Sequence, residues 1–301
     1  MLHQYFRLSE KRDNMATDIL SVIHNKMTSF SKGQKRIANY IVASYDKAAF
    51  MTANKLGKMV NVSESTVVRF AVELGFDGYP NMQKALQEMV RNKLTAVQRI
   101  GVASDRFGKQ DVVSTVLHSD MESIRMTSES LDRTALSQAV EALNRARHIY
   151  IIGVRSSAAI AQYLNFYFRH IFDNVRLVES TATSEMFEQM LHVSEGDVVI
   201  GISFPRYSSR TIKALEFARD NGAEIIVITD SLDAPVAKHA HYKLVAKSDM
   251  MSVVDSLVAP MSLVNALIVA ISQSREQEMS RIFENLEKIW GEYEVYEGIQ
   301  A

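Results

Sequence analysis

The chain has 301 residues, no cysteine and a formal net charge of −1, with 47% hydrophobic and 23% charged residues. Those values fit a globular protein of about two domains. The missing cysteines exclude disulfides and thiolate metal sites and suit a reducing compartment such as the cytoplasm. No uninterrupted apolar run approaches the ~20 residues of a membrane span; the longest candidate, Leu257 to Ile271, is broken by Pro260, Ser262 and Asn265.

Residues 1–16 read as a polar, flexible arm. The opening MLHQYFRLSEKRDN has neither a long apolar core nor a small-residue cleavage site, so no signal peptide is expected, and Met15 is read as an alternative start. From Thr17 the pattern is helical. Ile19, Leu20, Ile23 and Met27 form one apolar stripe, and Ser31 is placed to cap a second helix bearing Ile37, Ile41 and Tyr45.

Leu56 to Phe70, LGKMVNVSESTVVRF, reads as helix, tight turn, helix, within a helix-turn-helix of about 52–73. Leu56 and Val60 are four apart and Val67 and Phe70 three apart, so each helix hides one face. Gly57 suits a close approach between the helices. Asn61 suits a left-handed turn residue, and Ser63 an N-cap. Ser63, Glu64, Ser65, Val68, Arg69 and Val72 are left on the outer face. A helix so placed enters the DNA major groove, where Arg69 is the first candidate for a base or phosphate contact. Lys55 and Lys58, on the supporting helix, suit phosphate contacts. Lys32, Lys35 and Arg36 have the same chemistry, although solvent exposure alone accounts for them.

Gly75 to Pro80 reads as a turn, and Met82 to Met89 opens a fifth helix. The expected domain over 17–92 is an all-α bundle burying Phe30, Ile37, Ile41, Leu56, Val60, Val67, Phe70, Leu74 and Phe76. Residues 1–95 carry a net charge of +6 and residues 96–301 a net charge of −7. A basic head on an acidic remainder supports phosphate binding without carrying the case, since an exposed charged face looks the same.

Polar residues 92–110, with Gly101 and Gly108, read as a linker. Amphipathic helix follows over 111–145, so the linker and connecting helix together occupy 93–125. From His148 the rhythm becomes strand–helix alternation. The apolar runs Ile149–Val154, Val175–Val178, Val198–Ile202, Ile225–Thr229 and Tyr242–Val245 read as buried strands. Such short runs between helices imply an α/β doubly wound parallel sheet over 126–278. A long helix from about Ser256 to Ser274 closes it, and an amphipathic tail occupies 279–301.

Ligands in open parallel sheets sit at the carboxyl ends of strands. The first strand ends IIGVRSSAAIA, placing Gly153, Arg155, Ser156 and Ser157 before a helix. The third ends GISFPRYSSRT, placing Ser203, Arg206, Ser208 and Ser209 before another. Helix N-termini with hydroxyls and arginines suit an anion, phosphate above all. Helix capping alone also explains these serines. Two such loops at matching strand ends favour a ligand site.

Five segments together resemble the RpiR family of bacterial transcriptional regulators: SKGQKRIANYIV, NVSESTVVRFAVELGFDGYPNMQKAL, YIIGVRSSAAIA, GISFPRYSSRTIKALEFARDNGAEIIVITD and DSLVAPMSLVNALI. The resemblance covers nearly all of the chain after Thr17. It implies a helix-turn-helix head, a sugar isomerase (SIS) domain with five strands in flavodoxin-like order, a phosphosugar effector and a DNA operator. It also implies a cytoplasmic homodimer or homotetramer. The family's phosphate loops resemble G-x-G-x-S and S-x-S-G-x-T. Gly153, Ser157 and Ser203 match, and Ser208 takes the Thr place. Arg155 stands where the first loop has its second Gly, Pro205 where the second loop has its second Ser, and Arg206 where it has Gly. Each new guanidinium offers a bidentate fork, so the ligand is expected to be an anion, more acidic than a simple hexose phosphate.

SIS domains also occur in isomerases, which need a base over the sugar carbon. Glu179, Glu185, Glu188 and His192 are candidates by position. The last three, read on one helix, look more like a solvated face than a catalytic or zinc-binding set. No catalytic residue, metal or cofactor is assigned. Met250, Met251 and Met261 read as core, with a dimer face as the alternative.

Overall fold

The computed structural model describes residues 19–107, 111–179 and 182–296. The expected arm over 1–16 and the alternative start at Met15 lie outside them. The chain divides into two compact units, one reaching Val116 and including Met250–Asp255, the other holding the remainder.

The first unit is helical. Its elements are α1 (Ile19–Lys26), α2 (Lys32–Ala43), α3 (Tyr45–Ala48), α4 (Ala53–Met59), α5 (Glu64–Glu73), α6 (Tyr79–Lys93) and α7 (Ala96–Phe107). Ser31 caps α2 in a capping box with Gln34, as its spacing predicts. Tyr45 is not on that helix. The chain breaks at Ser44 and Tyr45 opens the single turn α3. The expected linker over 92–110 is largely the helix α7. Ile19, Ile23, Phe30, Ile37, Ile41, Leu56, Val67, Phe70, Leu74, Met82 and Leu86 form the core, while Val60 and Phe76 lie at its rim. Tyr79 reaches across to Met51, its hydroxyl donating to the Met51 carbonyl at 2.6 Å. Burial pushes that phenol up to about 12. Gln83 and Gln87 donate to the carbonyls of Met51 and Ala49, so α6 satisfies the turn that follows α3. Met250, also counted in this unit, is buried in its core.

The helix α8 (Val112–Ser130) carries the division between the units. The second unit continues with α9 (Arg133–Arg145), β1 (Ile149–Gly153), α10 (Ser156–Ile171), β2 (Val175–Val178), α11 (Thr183–Gln189), β3 (Val198–Ile202), α12 (Ser209–Asp220), β4 (Glu224–Thr229), β5 (Tyr242–Val245), α13 (Val258–Ser274) and α14 (Glu276–Glu292). All five strands are parallel, in the order β2-β1-β3-β4-β5. Alternate residues serve opposite faces. Ile149, Ile151, Val198, Ile200, Ile226 and Ile228 pack under α9, α10 and α13. Tyr150, Ile152, Val199, Ile225 and Val227 pack against α11 and α12. Burial on both faces is why these strands read as unbroken apolar runs.

Candidate functional site

In the first unit the helix-turn-helix lies where the periodicity put it. Thr52 caps α4 and Ser63 caps α5, each accepting an amide one turn in. Between them Asn61 holds φ +54°, the left-handed conformation that Asn tolerates. Leu56, Val67 and Phe70 are buried, and Ser63, Glu64, Ser65, Val68, Arg69 and Val72 are all exposed, as are Lys55 and Lys58. The α5 surface therefore presents two hydroxyls, two valine side chains and a guanidinium, a mixture able to meet base edges, thymine methyls and phosphate.

Three contacts escaped the sequence reading. Asn54 Nδ2 donates to Glu64 Oε2 at 3.1 Å, which ties the start of α4 to the start of α5 and engages the acid among the candidates. Ser63 Oγ lies 2.8 Å from Thr66 Oγ1. Lys26 Nζ donates to the Glu73 carbonyl at 2.5 Å, placing a cation at the last turn of α5, where exposed carbonyls favour it. The Asn54–Glu64 and Lys26–Glu73 partners are at spacings that sequence periodicity does not report.

In the second unit Gly153 lies opposite Ile202 in the β1–β3 register, so the two predicted loops leave neighbouring strands at one level. Strand order reverses between them, β1 running out to β2 and β3 to β4 and β5, which is where ligands collect in such sheets. A Cβ on Gly153 would stand 2.5 Å from the Ser157 carbonyl oxygen, so glycine is what lets β1 pass so close to α10. Arg155 occupies the N-cap position of α10 at φ +60° and ψ −125°, with no side-chain cap bond. That conformation belongs to glycine; for a side-chain-bearing residue it costs about 1–3 kcal/mol. Ser156 is exposed and Ser157 is buried.

In the β3 loop Ser208 caps α12, its Oγ accepting the Arg210 amide at 3.2 Å, and Ser203 Oγ accepts the Ser208 amide at 3.4 Å. The capping role weighed for these serines is thus real for Ser208. A capping hydroxyl still has its own proton to donate. Arg206 and Ser209 are exposed. Neither Arg155 nor Arg206 has an ion-pair partner among the described residues. Tyr207 was not among the candidates. Its hydroxyl donates to Asp230 Oδ1 at 2.7 Å and so ties the β3 loop to the end of β4.

The residues weighed for catalysis are all exposed. Glu179 lies at the end of β2, accepting from Gln162 at 2.9 Å. Helix α11 stops at Gln189, so His192 is not on the helix of Glu185 and Glu188, and all three are exposed. Among the described residues no group of three His, Cys, Asp or Glu side chains is arranged to hold a metal. A cleft of about 470 Å³ between α10 and β2 is lined by Asn165, Arg169, Leu177 and Glu179, among others, and includes none of the predicted loop residues.

Comparison with known proteins matches residues 17–93 to the helix-turn-helix domain of the rpiR family and residues 142–270 to the SIS domain. The HTH-type transcriptional regulator HexR of Escherichia coli K12 is 30% identical over 224 residues, 74% of this chain and 75% of that protein. The solved structure of Vibrio vulnificus NanR complexed with ManNAc-6P is similar in fold, with 22% identity and a TM-score of 0.56 over 90% of this chain and 97% of that one. The sugar isomerase domain of an RpiR transcription factor from Sphaerobacter thermophilus gives 25% identity and a TM-score of 0.57 over 60% of this chain and 99% of that one.

Proposed function

The chain belongs to the RpiR family of helix-turn-helix transcriptional regulators, and from that premise we propose that a phosphorylated sugar or sugar acid, bound by the SIS domain, controls its affinity for an operator. The observation that carries the reading is the pair of loops at the β1–β3 reversal. Each places serines at a helix N-terminus beside an arginine that has no acidic partner among the described residues. Gly153, Arg155, Ser156, Ser157, Ser203, Arg206, Ser208 and Ser209 are the proposed ligand residues. Ser63, Glu64, Ser65, Val68, Arg69, Lys55 and Lys58 are the proposed DNA-facing set, with Glu64 acting through Asn54. Support for a phosphosugar comes from the ManNAc-6P bound to NanR.

We read the SIS domain as a sensor rather than an isomerase. The exposure of these acids and the relative named as a transcriptional regulator favour this. The protein is read as a cytoplasmic homodimer or homotetramer on a two-fold operator; among the described residues no helix is long and apolar enough to cross a membrane. The effector works by binding one arrangement of the heads better than another.

A thermal-shift panel of hexose phosphates, amino-sugar phosphates, muramic acid derivatives and phosphorylated sugar acids tests the effector. A true ligand at a hundredfold excess over Kd adds about 2.7 kcal/mol of apparent stability. No shift across the panel would remove the phosphosugar reading and leave the family assignment untouched.

A further inference from the structure

The recognition helix has a cationic neighbour that the proposed DNA-facing set does not include. Helix α2 carries Lys32, Lys35 and Arg36 and no carboxylate among its twelve residues. Its first turn lies against the start of α5. A Cβ on Gly33 would be 3.5 Å from the Thr66 methyl and 3.6 Å from a Val62 methyl. Thr66 sits in the first turn of α5, directly after the outward-facing Ser65.

Helical geometry then separates the three cations. At 3.6 residues per turn, Arg36 lies about 60° round α2 from Gly33 and Lys32 about 100°, both on the flank away from the core. Ile37 and Ile41, which are buried, lie on the opposite flank of Gly33. Lys35 is about 160° from Gly33, so it points away from α5. All three side chains are exposed, and none has an ion-pair partner among the described residues. The charge excess of the first 95 residues is therefore not spread evenly round this helix with respect to the recognition surface.

We propose that Lys32 and Arg36 form a second duplex-DNA contact surface beside α5, gripping the phosphate backbone next to the groove that α5 enters, and that Lys35 takes no part. This rests on the DNA-binding reading. Lysine and arginine contacts to phosphate fix position without reading sequence, so the surface serves every duplex alike and is measurable before any operator is known.

The test uses the full-length protein and a random-sequence 24-base-pair duplex, with the binding constant measured by fluorescence anisotropy at several salt concentrations. Each phosphate contact contributes about 0.9 to the slope of log K against log salt. Lys32→Ala and Arg36→Ala should each lower the slope by about that amount, and Lys35→Ala should leave it unchanged. If Lys32→Ala and Arg36→Ala leave the slope at its original value while Arg69→Ala lowers it, this surface is wrong and the DNA-binding reading stands. Equal losses at all three α2 positions would also overturn it, because face-independent charge would then account for the effect. Failure of the unaltered protein to bind the duplex in any salt-dependent way would remove both readings.

Discussion

A Cβ on Gly57 would stand 2.9 Å from the carbonyl oxygen of Val62, while the Gly57 carbonyl accepts the Val62 amide at 2.9 Å. The helix-turn-helix angle is fixed by this approach of backbone to backbone, and neither group is the end of a flexible side chain. Gly57→Ala should therefore open the turn, destabilising the head by about 1–3 kcal/mol. Urea unfolding followed by a probe in the first unit checks this. Asn61→Ala should cost about 1–2 kcal/mol through its positive φ, and Asn61→Gly should not.

Arg69→Ala should weaken DNA binding without changing stability, since its side chain is exposed and packs in no core. A lost base contact would reduce operator affinity by about 1–3 kcal/mol and relax the preference at one base pair. Binding to a panel of operator variants distinguishes that from a phosphate contact, which would weaken all variants alike.

Arg155→Gly should move stability and ligand binding in opposite directions. Relieving the positive φ at the start of α10 should raise unfolding stability by about 1–3 kcal/mol. Loss of the guanidinium should weaken binding of whichever sugar phosphate the thermal-shift panel identifies. Unchanged affinity, measured by titration calorimetry, would assign Arg155 no part in the ligand site.

Asp197 should give the second unit part of its acid sensitivity. Burial pushes its carboxyl up, but the Arg147 guanidinium, the Ser194 amide and His148 outweigh burial and hold it below the usual carboxylate range. A lowered folded value means that the stabilisation is complete above the ordinary carboxylate value of about 3.9 and is lost as pH falls through the folded one. Asp197→Asn should cost about 1–3 kcal/mol near neutrality, because the buried carboxylate's charge-assisted bonds to Arg147, Ser194 and His148 are lost or weakened. The difference from the unaltered protein should shrink below about pH 4. Urea titrations at pH 7, 5 and 3 read it directly.

Much was legible in the sequence where the physics is local. The stripes around Leu56, Val67 and Phe70, the caps at Ser31 and Ser63 and the left-handed Asn61 all follow from spacings of three or four residues. The five strands are short β-branched runs between helices, and Val175–Val178, Val198–Ile202 and Tyr242–Val245 match the sequence reading end to end. Some local readings failed. Tyr45 follows the α2 stripe in phase, yet the chain breaks at Ser44. The linker over 92–110 is polar enough for a loop, yet α7 runs through most of it, because packing decides whether a weakly apolar stretch becomes a helix.

The amino-acid order alone determined the five strands and the two helices of the helix-turn-helix, which residues face out from the recognition helix, and that two serine- and arginine-bearing loops end in helix N-termini. Those properties depend on backbone preferences and on the period of apolar residues, both written within a few positions. Only the tertiary structure decided that Gly153 lies level with Ile202, that Asn54 holds Glu64, that Tyr207 reaches Asp230, and that Gly33 rests against Thr66. Such pairings join residues whose spacing carries no period; they are set by strand register and by which helix faces fit together, and these exist only once the cores have closed.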